Sequence, residues 1–203
     1  MSDRLKSVIR DAALNYRYWI DEPGDDVMWF FSENHALLFH TCQYLAGLLF
    51  PEDLFTNSGK IGKEVKARGE ELLEEWFEEF FREFITEWNS NAYIPVDVHG
   101  LATIYNITKE GDGLHQMAKK ALDMVSYSLA VNAHKGAVMT SFGRTYEKEM
   151  KGNYNAGTTS LLYLFYNAGY LTRNGMGCVA VASGDYEAPK EYKQYITLEE
   201  SQS

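Results

Sequence analysis

The chain has 203 residues, 45% of them hydrophobic and 24% charged, a balance that excludes disordered and collagen-like classes and allows a sizeable core. Lys plus Arg is 19 against 29 Asp plus Glu, and the resulting net charge of −10 argues against nucleic acid or an anionic membrane as partner. Both demand a basic face to displace counterions. Cys42 and Cys178 stand alone, so neither a disulfide framework nor a thiolate metal cluster is expected. The opening run MSDRLKSVIRDAAL is charged throughout and lacks the apolar core of a signal peptide. No uncharged apolar run reaches membrane-spanning length, so the chain, if complete, is expected in the cytoplasm and not in a membrane. Aromatic residues are plentiful: 14 Tyr, 11 Phe and 4 Trp.

In chain order, the periodicity predicts helices joined by short loops marked by Gly and Asn. Leu5, Val8, Ile9, Ala12 and Tyr16 recur at helical spacing over 3–18, before a turn at Asp21-Glu22-Pro23-Gly24. A second helix runs from about Ser32 to Leu49, apolar on most faces and stopped by Phe50-Pro51. Asn57-Ser58-Gly59 is turn chemistry in the loop that follows.

The third segment, 63–88, is the most strongly periodic. Leu72-Leu73, Trp76-Phe77, Phe80-Phe81, Phe84-Ile85 and Trp88 recur every four residues, giving a helix about 39 Å long with one broad apolar face. Nine Glu against Lys63, Lys66, Arg68 and Arg82 place half of the net charge on its other face. That face reads as a solvated exterior, since a membrane-surface helix would carry the opposite sign.

Further helices are expected over Val96–Tyr105, Leu114–Asn132, Arg144–Met150 and Asn155–Gly169, with a turn at Glu110-Gly111-Asp112-Gly113. Residues 133–143 read as a small, polar connection. Gly177-Cys178-Val179-Ala180-Val181-Ala182 is open between a short buried strand and a tucked loop. The stretch Asp185–Tyr192 resembles the start of another helix. Nowhere does alternation reach the strength that builds a sheet, so the expected class is all-α. The helices pair as antiparallel hairpins within a single helical domain over 1–203.

The common phosphate-binding, zinc-protease and nucleophile-elbow motifs are absent. His35, His40, His99, His115 and His134 do not pair at i, i+4 spacing, so no metal site and no cofactor is expected. Three polar clusters remain beside helix ends. They are Ser32-Glu33-Asn34-His35, Glu87-Trp88-Asn89-Ser90-Asn91-Ala92-Tyr93 and Ser141-Phe142-Gly143-Arg144-Thr145-Tyr146. Taken singly, each reads as a cap or turn: Ser32 or Asn34 capping, Asn in left-handed conformation with Tyr93 as a lid, and an exposed Arg at a helix start.

Taken together, S-E-N-H-A-L-L-F-H-T-C-Q-Y-L-A-G-L-L-F-P, E-W-N-S-N-A-Y and G-R-T-Y resemble the α/α-toroid polysaccharide lyase superfamily, in its alginate-lyase and heparinase II/III-like branch. The likeness spans about residues 29–170. Asn34 and His35 match an Asn-His pair that opens an inner helix. Glu87, Asn89, Ser90 and Tyr93 match the second motif, with Asn91 where proline is common. Arg144 and Tyr146 match an Arg-x-Tyr further along. Such toroids close with five to seven hairpins, so the resemblance implies an incomplete (α/α) toroid, about three hairpins of the ring. Its exposed ends would favour homo-oligomers.

The resemblance implies β-elimination on a uronate-containing polysaccharide or oligosaccharide. A carboxylate beside C5 opposes carbanion formation until hydrogen-bond donors neutralise it. A base must then take the C5 proton and an acid must protonate the leaving oxygen. Asn34 would neutralise the carboxylate, His35 or Tyr93 would act as base, Tyr93 as acid, and Arg144 would supply the cation. Glu87, Asn89, Ser90 and Tyr146 would contact substrate. Two other functions fit the same residues. One is a glycoside hydrolase using Glu33, Glu87 or Asp97, and the other is a helical module that binds a glycan or a protein without turnover.

Overall fold

A computed structural model of the chain describes residues 1–144, 146–147 and 156–196. It is mostly helical, 57% helix and 4% strand, with no closed sheet. The described helices are α1 (Asp3–Leu14), α2 (Glu33–Leu49), α3 (Gly62–Glu83), α4 (Ile94–Ile107), α5 (Gly113–Val131), α6 (Gly157–Tyr166), α7 (Cys178–Ala182) and α8 (Lys193–Ile196). Four two-residue strands form two antiparallel hairpins, β1 (Leu54–Phe55) with β2 (Lys60–Ile61) and β3 (Ala133–His134) with β4 (Ala137–Val138). The chain divides into two compact units, Met1–Glu79 and Phe80–Ser203. Among the described residues no helix is long and apolar enough to cross a membrane.

In the first unit, α1 starts where the Ser2 hydroxyl accepts the Leu5 amide. It ends at Leu14 rather than residue 18, because the Asn15 side chain turns back onto the Asp11 carbonyl at 2.7 Å and Tyr18 donates to the Ala13 carbonyl at 2.8 Å. Both bonds fold the chain away from the helix axis. α2 stops at Leu49, two residues before Pro51, whose ring and missing N–H forbid another turn. The β1–β2 hairpin then returns the chain into α3, with Leu54 opposite Ile61 and Phe55 opposite Lys60.

α2 and α3 lie against each other backbone to backbone at two glycines. A Cβ on Gly47 would stand 2.4 Å from the Lys66 amide nitrogen, and one on Gly69 would stand 2.6 Å from that of Tyr44. The pairs 47–66 and 44–69 run in opposite senses, which makes the hairpin antiparallel. Around it pack Leu14, Tyr18, Ala46, Phe55 and Val65 in one cluster and Trp19, Met28 and Leu72 in another. Val65, Leu72, Leu73, Trp76 and Phe77 form the buried stripe of α3, while Glu64, Glu71, Glu74, Glu75 and Glu78 are exposed. Each large apolar side chain buried this way contributes about 1.5–3 kcal/mol. The Trp76 indole donates to the Glu33 carbonyl at 3.1 Å, satisfying its one polar atom.

In the second unit α3 ends at Glu83, five residues before its apolar pattern does (88 against 83). Phe84 turns left-handed, φ 61°, while its amide still bonds the Phe80 carbonyl at 2.8 Å. α4 begins with Pro95 in its first turn, where a missing N–H costs nothing. Val98, Leu101, Ala102 and Ile104 are fully buried, and α4 packs against α5, α6 and α7. The segment left open between strand and loop is the helical turn α7. Its preceding Gly177, φ 79°, brings the chain so close that a Cβ would lie 2.6 Å from the Pro95 carbonyl oxygen. Residues 133–138 form the β3–β4 hairpin rather than an unstructured connection, turning through Lys135 and Gly136, both at positive φ. α6 closes on left-handed Asn167. The start of a helix read at Asp185–Tyr192 is a 3-10 turn, Lys190–Tyr192, continuing into α8. The helix expected over 144–150 lies outside the described residues except at 144, 146 and 147, as does Asn155 of the next.

Candidate functional site

Of the sequence-predicted residues, Asn34 and His35 lie in the first unit, and the other six lie in the second. Asn34 is buried in the first turn of α2, where the Ser32 hydroxyl donates to its Oδ1. His35 is half-buried, its Nδ1 3.0 Å from the same hydroxyl. These three side chains form a local network at the helix N-terminus, with every link within three residues of sequence.

In the second unit, the motif 87–93 crosses from the end of α3 to the start of α4. Asn89, φ 51°, supplies the left-handed residue that reverses the chain, and its Oδ1 accepts the Ser128 hydroxyl at 3.3 Å. Ser90 is fully buried and its Oγ accepts the Tyr93 amide at 3.3 Å. Asn91, equally buried, accepts the Thr158 hydroxyl at 2.5 Å. Asn89 and Ser90 thus shape and hold the loop that presents Tyr93 at the head of α4. From the other side, the Gly143 amide donates to the Trp88 carbonyl at 2.9 Å, which brings Arg144 and Tyr146 onto the same loop.

Four side chains meet there. The Tyr93 and Tyr146 hydroxyls are 2.8 Å apart, Arg144 Nε donates to the Tyr146 hydroxyl oxygen at 3.0 Å, and Arg144 Nη1 donates to Glu87 Oε1 at 3.2 Å. The Arg144 guanidinium also lies 5.0 Å from the centre of the Tyr93 ring. Glu87 anchors the arginine, and its second oxygen, Oε2, is buried without a hydrogen-bond partner among the described residues.

The arrangement separates the two phenols chemically. Tyr146 is held below the ordinary phenol value, first by the hydrogen bond from Tyr93 and then by the one from Arg144, because both donors favour its phenolate. Tyr93 is pushed up, first because its proton is given to Tyr146 and then by burial. The resemblance assigns the acid to Tyr93, the base to His35 or Tyr93, and only substrate contact to Tyr146. The geometry makes Tyr146 the more acidic phenol of the pair. The Arg-x-Tyr spacing carried a signal for this, since it keeps a guanidinium within reach of the phenol two residues on.

Among the described residues, no group of three or more His, Cys, Asp or Glu side chains is placed to hold a metal ion. Comparison with known protein families, curated proteins and solved structures finds no match to the chain.

Proposed function

We propose that the chain carries the β-elimination chemistry of a polysaccharide lyase acting on a uronate-containing glycan, on a scaffold that forms part of an α/α toroid. The observation supporting this reading is the pair of phenol hydroxyls, Tyr93 and Tyr146, 2.8 Å apart, with Arg144 Nε donating to the Tyr146 oxygen. As phenolate, Tyr146 takes the C5 proton, and the released pair forms the C4–C5 double bond as the C4–O bond breaks. Tyr93 gives its proton to the departing oxygen. One turnover leaves Tyr146 protonated and Tyr93 ionised, and transfer of a single proton across the 2.8 Å contact restores the starting state. Arg144 provides local positive charge in a chain of net charge −10, both for the substrate carboxylate and for the phenolate.

The test is the ultraviolet absorbance of the unsaturated uronate released from alginate, heparan sulfate and pectate by the folded chain. Product from one of the three, lost in Tyr146→Phe, supports the reading. Saturable glycan binding with no product would assign a binding module instead, and neither binding nor product would overturn the carbohydrate assignment altogether.

A further inference from the structure

The second unit holds a separate cavity at the other end of α4. Tyr105 lies twelve residues beyond Tyr93 (105 against 93), about 18 Å along the helix axis. The cavity has a volume of about 740 Å³ and lies between the C-terminal turn of α4, the start of α5 and the segment after α7. Its aromatic wall is Tyr105 stacked on His115, ring centres 4.2 Å apart and planes at 27°. Tyr186 packs against Tyr105 in a T-shaped pair, ring centres 5.7 Å apart.

The hydrogen bonds fix what this wall offers. His115 Nδ1 is 3.1 Å from the Tyr105 carbonyl oxygen, which can only accept, so Nδ1 donates there and Nε2 is the ring nitrogen left over. Asn106 uses one amide N–H on the Ala180 carbonyl at 2.7 Å, leaving the other N–H and its oxygen, which lies beside Gly184. Glu110 and Asp185 add carboxylates to the lining, and the one lining cation, Lys119, is neutralised by Asp123 at 2.7 Å. The Tyr105 phenol registers the same field: burial pushes it up, Asp185 adds to that, Lys119 opposes, and Glu110 and Asp123 add again. The cavity therefore combines an aromatic face with two lining carboxylates against one lining cation that is already paired.

We infer that this cavity binds a small organic ammonium ligand, its cation held by Asp185 and Glu110 and its body stacked against Tyr105. The shared chemistry has two sources, an amino sugar or an aliphatic diamine. The inference does not rest on the elimination reading, since it uses none of those residues.

The experiment is calorimetric titration of the full chain with glucosamine, N-acetylglucosamine and putrescine. Saturable heat with glucosamine and none with N-acetylglucosamine, which keeps the ring and loses the charge, supports the inference. Comparable binding of putrescine then assigns the site to amines generally, and its absence assigns it to amino sugars. Asp185→Asn and Tyr105→Ala are each expected to weaken binding roughly fivefold. Both positions are at least partly exposed, so both variants should fold. Absence of saturable heat with glucosamine, equal binding of N-acetylglucosamine, or unchanged affinity in both variants would overturn the assignment.

Discussion

The motif 87–93 contains two kinds of polar residue that look alike in sequence and differ entirely in use. Asn89, Ser90 and Asn91 are at most 3% exposed, and each accepts a hydrogen bond from the scaffold, from Ser128, the Tyr93 amide and Thr158. Glu87 and Tyr93, at the edges of the same motif, bond instead to Arg144 and Tyr146, which arrive from more than fifty residues away and are exposed. The centre of the motif is architecture, and under the elimination reading its edges are chemistry. A motif match by itself ranks all of them together, and burial is what separates them.

Substitutions can break this division. The largest effect is expected from Tyr146→Phe, which removes the acidified hydroxyl while leaving the exposed ring. Under the elimination reading it lowers the initial rate of unsaturated product formation roughly 10²–10⁴-fold, with an unchanged melting curve. A melting curve that falls with the rate would place Tyr146 with the architecture instead.

A buried polar group lacking the partners that the loop residues possess gives the contrasting case. His40 is 4% exposed, edge-on to Trp19 at 4.3 Å, and its Nδ1 has no hydrogen-bond partner among the described residues. Burial, aided by Arg68, lowers its pKa from 6.5 to about 4. The folded state thus favours the neutral ring, and its stability is full above pH 6.5 and falls as pH drops from there towards about 4. About 3 kcal/mol is at stake over that window. Urea midpoints measured across it should decline, and His40→Gln should flatten the decline.

Asn89→Ala probes the architectural half. It removes both a residue that tolerates left-handed backbone and the acceptor for the buried Ser128 hydroxyl, an expected loss of about 2 kcal/mol in urea unfolding. Asn89→Gly restores the backbone freedom and should lose only about 1 kcal/mol. Equal losses in the two variants would mean that the side chain alone matters.

The smallest effect on stability should come from Arg144→Gln, because the guanidinium is solvent-exposed. Its readout is spectroscopic. The Tyr146 phenol should titrate at higher pH than in the parent, seen as the tyrosinate absorbance that disappears in Tyr146→Phe. An unchanged titration would show that Tyr93 alone sets that acidity.

Much of the helical architecture was legible because its signals are local. Pro51 and Pro95 mark a stop and a start, and the four-residue recurrence of Leu72, Trp76 and Phe80 marks the face of α3. The end of α3 was not, since Phe84-Ile85 and Trp88 continue the apolar period, and only the tertiary position of Phe84 demands positive φ. α7 was hidden for a related reason. Its Cys-Val-Ala-Val-Ala run has no helical period, and its conformation depends on Gly177 lying against the Pro95 carbonyl. At the candidate site, the motifs pointed to Tyr93, Arg144 and Tyr146. Which phenol gives up its proton depends on where one guanidinium sits, and that is a property of the fold. The Tyr105–His115 stack escaped notice because its two residues are separated by a turn and belong to no motif.

The glycine contacts at 47–66 and 44–69 have a consequence for how this chain can vary. Two points of backbone contact on facing helices act like the teeth of a rack. One residue inserted into either helix between them would rotate the far glycine by about 100° and set a side chain against main chain. The turn at Ser58-Gly59, by contrast, lies outside the toothed stretch and beyond buried Phe55, with open space around Gly59, and its length can drift without disturbing the mesh. Tolerance to insertion along this hairpin should therefore be confined to its tip, whatever the chemistry that natural selection has asked of the rest.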